Sequence, residues 1–505
     1  MKSLYLLLFF AGLLLSSCSS DVRIPESARV VDKHVQIYPD YTNVVIPPNI
    51  APMNFLIKSV GKEYVVLVEG STQKVVASGT ENGIIQFDEK QWAELLQKSK
   101  GQKLTCTIYE KTDNDWIQYA PYYMQVAPEP IDSFLSYRLI EPGYELYRQL
   151  GLYQRNLSNF TEKVIYENNR SYDDDNNHCV NCHNYQNYHS KNMLFHVRAF
   201  HGGTILALNG NIKKLDMKCD SILSSAVYPS WNPKHNWIVF SSNKTGQTFH
   251  LFHKEKVEVV DMESDLIFYD ADNNVIKNIL KTESEMETFP CWSPDGKKIY
   301  YCSAAVPMVV GMSSEQKTEW IVSNYNRIRY NVYSMDFNEK TQSFSHPQLE
   351  VNCAALKKSA SVPRISPDGR FLLFTMGDYG QFHIWHKSSD LYVKDLQTGE
   401  MWKLKKANSS DVDSYHSWSS NGRWIVFSTR RDDGNYTRLY MTYFDKSGKD
   451  HKAFMLPQKD PTQNLRLLKS YNVPELTIDK VPYSSAQFKD VIYTSQGQAV
   501  QYKAK

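Results

Sequence analysis

Four segments of this 505-residue chain can be laid over one another: YPSWNPKHNWIVFSS (228–242), FPCWSPDGKKIYYCS (289–303), VPRISPDGRFLLFTM (362–376) and YHSWSSNGRWIVFST (415–429). An internal repeat restricts a fold strongly, because each copy is one supersecondary unit that buries its apolar face only against the next. Every copy reads strand, tight turn, strand. In Ser-Pro-Asp-Gly the proline presets φ at the first central turn position, the aspartate suits the second, and the glycine tolerates a left-handed exit. Trp231, Trp292 and Trp418 occupy one position, held by Ile365 in the third copy. A bulky apolar side chain there is expected to pack between neighbouring sheets. A further strand follows each copy, at 265–274, 330–337, 390–400 and 438–449, with the alternation and turn residues of an outer hairpin. The widest spacing between copies holds an insertion near 305–328. Two hairpins make a four-stranded blade, so a mainly β chain with a closed propeller of about six blades is expected over 191–505. Segments 191–225 and 465–505 are available for the blades beyond the four visible copies. A β-sandwich array is the alternative fold.

The P-x-W-S-P-D-G hairpin resembles the TolB-type propeller repeat, a relative of the WD type found in periplasmic and secreted bacterial proteins. The likeness covers about 190–450. The first copy departs from it with Asn-Pro-Lys-His-Asn, and the fourth with Ser-Ser-Asn-Gly.

The N-terminal part has another texture. Residues 41–130 hold alternating segments such as EYVVLVEG, KLTCTIYEK and DWIQYAPYYMQV, interrupted by one predicted helix from Glu89 to Ser99. This pattern predicts an immunoglobulin- or fibronectin-like sandwich that ends at Pro128 and Pro130. Residues 131–190 are tyrosine-rich and partly helical around Tyr144–Leu152, and are expected to be a connector. The polar run Asp173 to Asn177 lacks the glycine and distal glutamate of a calcium loop and reads as a solvated loop.

That connector carries Cys179-Val180-Asn181-Cys182-His183, the C-x-x-C-H signature of c-type haem attachment. Two thiols at this spacing can bond both vinyl groups on one porphyrin edge, and the histidine can then ligate the iron. With 8 Cys and 14 His in the chain, chance supplies roughly 0.003 such strings. Haem c is therefore the expected cofactor, with Cys179 and Cys182 as attachment points and His183 as the proximal iron ligand. A second axial ligand is usually Met or His. His189, Met193, His196 and His201 lie downstream, with Met193 or His196 the expected distal ligand. If 193–197 is a strand, those two point to opposite faces and only one meets the iron. Arg198 could pair with a propionate. Two other readings stay open: a zinc set of both cysteines with nearby histidines, or a disulfide or thiol-redox pair. Among the other cysteines, Cys291 and Cys302 flank one hairpin and could cross-link it, or be small buried residues.

The first 17 residues read as a signal peptide: Lys2, an apolar run from Leu4 to Leu15 too short to span a bilayer, and then Leu15-Ser16-Ser17-Cys18. This resembles a bacterial lipoprotein signal, which implies acylation of Cys18, residues 18–40 as a tether, and a place in the cell envelope, on the outer membrane. Haem attachment occurs outside the cytoplasm, so export and the motif agree. Lys plus Arg is 57 against 55 Asp plus Glu, which gives no electrostatic case for nucleic acid. The succession of lipobox, IPPNIAPMNF (46–55), YRLIEPGYELYRQLGLYQRNL (137–157), CVNCHNY and MLFHVRAFHGGT is similar to a group of Bacteroidetes lipoproteins with TolB-like propellers. Members of that group are often labelled cytochrome c-type or cytochrome biogenesis proteins. The resemblance implies a membrane-anchored haem protein with an envelope partner, suited to electron transfer or redox sensing. The alternative is a haem-free scaffold for proteins or glycans. No Gly-x-Ser-x-Gly elbow, phosphate loop or His-Glu-x-x-His string is present, and the 55 or so residues after the last repeat are too few for a hydrolase domain.

Overall fold

The computed structural model describes residues 22–141, 149–168 and 177–504. The lipobox with Cys18, most of the segment expected to be helical around Tyr144–Leu152, and most of the Asp173–Asn177 loop lie outside the described residues.

Six antiparallel sheets form a ring. Blades 1 to 5 follow the chain at 178–216, 226–280, 285–351, 359–403 and 413–455. Blade 6 is assembled from both ends: its inner strand, Ser470–Thr477, pairs antiparallel with Phe134–Ile140, and two further strands at Gly151–Asn156 and Glu162–Glu167 complete it. The innermost strands contact one another in order around the ring, and that of blade 6 meets that of blade 1. The segment expected to be a connector therefore supplies three strands of blade 6 and the first strand of blade 1. The reason is non-local: Phe134–Ile140 finds its partner, Ser470–Thr477, more than 300 residues away, a pairing that local periodicity does not report.

The repeat explains the blades. Ser293 Oγ donates to Asp295 at 2.6 Å, and the amide of Gly296 donates to the Ser293 carbonyl at 2.9 Å. Ser366 with Asp368 and Ser419 with Asn421 make the same pair. Gly296, Gly369 and Gly422 all take the left-handed φ that the turn requires. In the divergent first copy, Asn232 caps the turn instead, with Oδ1 accepting from the amides of Lys234 and His235. Trp231, Trp292, Ile365 and Trp418 are buried, each in the apolar cluster between its own blade and the preceding one. Interlocking of this kind makes each blade depend on its neighbour.

The 29–126 region forms a two-sheet β unit: a seven-stranded sheet, a three-stranded sheet and one helix, α1 (Glu89–Lys98). Asp88 caps α1 through the amide of Gln91 at 2.9 Å. The segment expected to be a tether already contributes strands Arg29–Val31 and Ile37–Tyr38. Two of the pairings, Arg29–Val31 with Trp116–Tyr119 and Val44–Ile46 with Tyr122–Val126, are parallel. This unit shares one core with blades 5 and 6. The link between them is gripped by the fourth turn: Asp132 accepts from the Ser420 amide and hydroxyl, and Asn421 donates to the Pro130 carbonyl.

Helix Ser485–Thr494 packs Phe488 and Ile492 into the cluster between blades 6 and 1. The tail then adds short parallel strands to the outer edges of blades 1 and 2. No helix among the described residues is long and apolar enough to cross a membrane.

Candidate functional site: the central cavity

Each inner strand carries a bulge at the same height, and each of these bulges holds one residue in the left-handed region: Cys182, Tyr228, Phe289, Val362, Tyr415 and Val473, with φ between 46° and 52°. Non-glycine residues rarely adopt this conformation. Its occurrence six times in register shows that the ring imposes it. All six residues border one central cavity of about 1860 Å³. The register aligns Cys-His-Asn-Tyr (182–185) with Tyr-Pro-Ser-Trp, Phe-Pro-Cys-Trp, Val-Pro-Arg-Ile, Tyr-His-Ser-Trp and Val-Pro-Glu-Leu. Cys182 and His183 are thus the blade 1 copy of the propeller repeat. The sequence held a signal for this in the fourth copy, whose His416 matches His183.

Two residues beyond the bulge a second ring faces the cavity: Asn184, Ser230, Cys291, Arg364, Ser417 and Glu475. Arg138, Arg198 and Arg430 also border it. Glu475 accepts from the Asn184 side chain at 3.0 Å and the Tyr185 amide at 3.2 Å. Although part of its side chain reaches the cavity, desolvation pushes its pKa up to about 8.

His183 is 3 % exposed. Burial, aided by the positive charge of Arg138, pushes its pKa down to about 3. Neither ring nitrogen has a hydrogen-bond partner. Glu475 lies 4.0 Å from Nε2, but a neutral imidazole beside a protonated carboxyl is not an ion pair. The ring stands edge-on to Tyr185, whose hydroxyl donates to Ser136 of blade 6. His183 therefore faces blade 6. Arg138, also of blade 6, donates to Cys179 Sγ at 3.4 Å.

Cys179 and Cys182 both border the cavity, and all seven described cysteines are free thiols. The cross-link considered for Cys291 and Cys302 is absent: in the ladder Cys302 stands opposite Thr288, and Cys291 opposite Tyr300.

The downstream candidates separate. Met193 is fully buried in the apolar cluster between blades 6 and 1 and does not border the cavity. His196, on the other face of the same strand, borders the cavity and lies 5.8 Å from the Phe240 ring of blade 2. Its Nδ1 is paired with Thr204 at 2.9 Å, its Nε2 has no partner, and burial pushes its pKa down to about 3. His183 and His196 thus occupy opposite faces of blade 1. His189 is tied at the surface to Asp479, and His201 packs at a tilt against Tyr493.

No protein-family profile matches the sequence, and no curated protein matches it. Solved structures do resemble the chain. Kuenenia stuttgartiensis hydrazine synthase is 12 % identical over 70 % of this chain and 48 % of its own, with a TM-score of 0.41. The tricorn protease is 11 % identical over 81 % and 37 %, with a TM-score of 0.34. An oligogalacturonate lyase in complex with manganese is 11 % identical over 83 % and 99 %, with a TM-score of 0.29. The chain spans about half or less of the length of the first two. At such scores the likeness adds nothing to the site. The propeller stands on the sheet order, the closed ring of inner strands and the six bulges.

Proposed function

We propose that this chain is an envelope-anchored carrier of one covalently attached haem, seated in the propeller's central cavity through Cys179 and Cys182, with His183 as the iron ligand. One observation carries the reading: C-x-x-C-H lies on the innermost strand of a blade, beside a large cavity, and its histidine is neutral with both ring nitrogens unpartnered. A buried imidazole left without hydrogen bonds is costly unless something ligates it. When bound, a haem supplies one-electron exchange.

The chain's own residues do the rest. Arg138 holds a cation against the Cys179 thiol. Tyr185 fixes the His183 ring edge-on, while Arg138, Arg198 and Arg364 offer guanidinium partners of the kind that pair with propionate carboxylates. The aromatic bulge residues Tyr228, Phe289 and Tyr415 supply apolar walls that limit water. Of the two distal candidates, Met193 is sealed in its cluster and His196 faces the next blade, so the reading assigns His183 as the protein ligand. Acylation of Cys18 belongs to the same proposal, and would place the propeller at the outer membrane where a partner protein exchanges electrons with it.

The test is expression with haem-attachment machinery, followed by intact mass and by visible spectra of the oxidised and reduced protein. A mass gain of one haem, lost in Cys179→Ala/Cys182→Ala, is expected. An unmodified chain under those conditions, or a haem that survives the double substitution, overturns the proposal. Metal analysis of an unmodified chain would then identify a zinc set instead.

A further inference from the structure

Blade 2 contains the longest hairpin in the ring, Trp237–Phe249 with Val257–Asp270. Its far end extends beyond the other strands of the blade to the cavity, which Phe249, His250, Leu251 and Lys256 border. Donor atoms of His250, His253 and Glu258 there lie within 4.8 Å of one another. The two imidazole rings are 5.0 Å apart, and His250 Nε2 is buried with no hydrogen-bond partner. Glu258 is 3 % exposed. Both its oxygens are held from blade 4: Tyr379 donates to Oε1 at 2.5 Å and His386 Nε2 donates to Oε2 at 3.0 Å. Glu255, one turn away, accepts from the Lys387 amide at 3.0 Å and ties the hairpin to the same segment.

We propose that His250, His253 and Glu258 bind a zinc ion that pins the tip of the blade 2 hairpin to Glu258 beside the mouth of the cavity. Two imidazoles and a carboxylate are an established zinc set, and three protein ligands leave a fourth position for water or an entering ligand. Tetrahedral ligands at zinc bond lengths stand about 3.3 Å apart, so the three donors need to close by at most about 1.5 Å. The exposed His253 side chain can supply that movement. Its Nδ1 accepts the Glu255 amide at 3.1 Å, a bond released as the ring turns towards the ion. Each Glu258 oxygen keeps a lone pair, while His386 and Tyr379 orient the carboxylate as outer partners do at metal sites. The inference does not rest on the haem: none of these residues belongs to the cysteine motif.

The test uses the full untagged chain carrying Cys179→Ser and Cys182→Ser, so that the thiols of the motif cannot take the ion. Zinc is titrated in competition with a chromophoric chelator, and trypsin cleavage at Lys254 and Lys256 is followed with and without zinc. One tight equivalent and slowed cleavage are expected. His386→Ala should weaken binding by about 10–100-fold, and His253→Ala by more, with the zinc protection lost. His253 is on the surface, so its removal leaves the fold intact. Glu258→Gln keeps the acceptor for Tyr379, the His386 ring can change tautomer to accept from the new amide, and the substitution serves as the second variant. Absence of a tight equivalent, or unchanged affinity in both His253→Ala and Glu258→Gln, overturns the proposal.

Discussion

Replacing His183 by phenylalanine tests the electrostatic core of the site. The unfolded ring protonates near its ordinary 6.5, whereas the folded ring does so only near 3. Between those values the unfolded chain holds a proton that the folded chain lacks. The stability tied to this ring is therefore fully present above pH 6.5 and is lost as pH falls towards 3. A displacement of this size corresponds to about 5 kcal/mol over the whole window, and to about 3 kcal/mol between pH 7 and pH 4. His196, His383 and His416 are also held near 3 by burial. They give wild type and variant a common acid limb, so the difference between the two proteins isolates residue 183. Phenylalanine keeps the edge-on contact with Tyr185 and removes two unpartnered nitrogens, which is close to neutral at pH 7. The assay is urea unfolding of the haem-free chain at pH 7 and pH 4, followed by tryptophan fluorescence. Wild type should lose about 3 kcal/mol more than His183→Phe. Equal losses would refute the reasoning, as would a His183 resonance that titrates near 6.5.

Further outcomes follow from the same geometry. Trp231→Ala, which empties the wedge between blades 1 and 2, should cost about 3–5 kcal/mol and lower the melting temperature; a shift no larger than that of a surface substitution would contradict the packing. Glu475 is raised, so between about 4.5 and 8 the folded chain holds a proton the unfolded chain has lost, and stability falls as pH rises through that window. Glu475→Gln should remove about 2–3 kcal/mol of the loss between pH 6 and 8.5, seen as a flatter urea midpoint. Deleting 470–505 removes the inner strand of blade 6 and should open the ring, read as rapid trypsin cleavage within 134–167; a truncated chain as resistant as the full one would show that the ring does not need this strand. Asp88→Ala should cost about 1 kcal/mol at the start of α1, measured by thermal unfolding.

The blades were legible because their signals are local. The Ser-Pro-Asp-Gly and Ser-Ser-Asn-Gly turns draw on the side chains of a few consecutive residues, and the tryptophan position repeats with them. Helix α1 was legible for the same reason, through its cap and spacing. The two flanking blades were legible only as lengths of chain, 191–225 and 465–505, that could supply them; their repeat was not. Cys-His-Asn-Tyr lacks the proline and tryptophan of the repeat, and Val-Pro-Glu-Leu lacks the turn that follows it, so neither reads as a copy until the bulges align them. The expected connector became blade 6 because its partner strand lies at the far end of the chain.

The sequence by itself determined a β chain of interlocking hairpins and a Cys-x-x-Cys-His string whose chemistry points to haem, since turn residues and covalent attachment both act over a few positions. Only the tertiary structure decided where that string sits. Closure of the ring by strands from both ends places Cys179, Cys182 and His183 on an innermost strand, strips the histidine of water and of hydrogen-bond partners, and turns the Met193 face into an apolar cluster and the His196 face to the cavity. Burial and facing direction depend on which strands meet, and in this chain the deciding pair is Phe134–Ile140 with Ser470–Thr477.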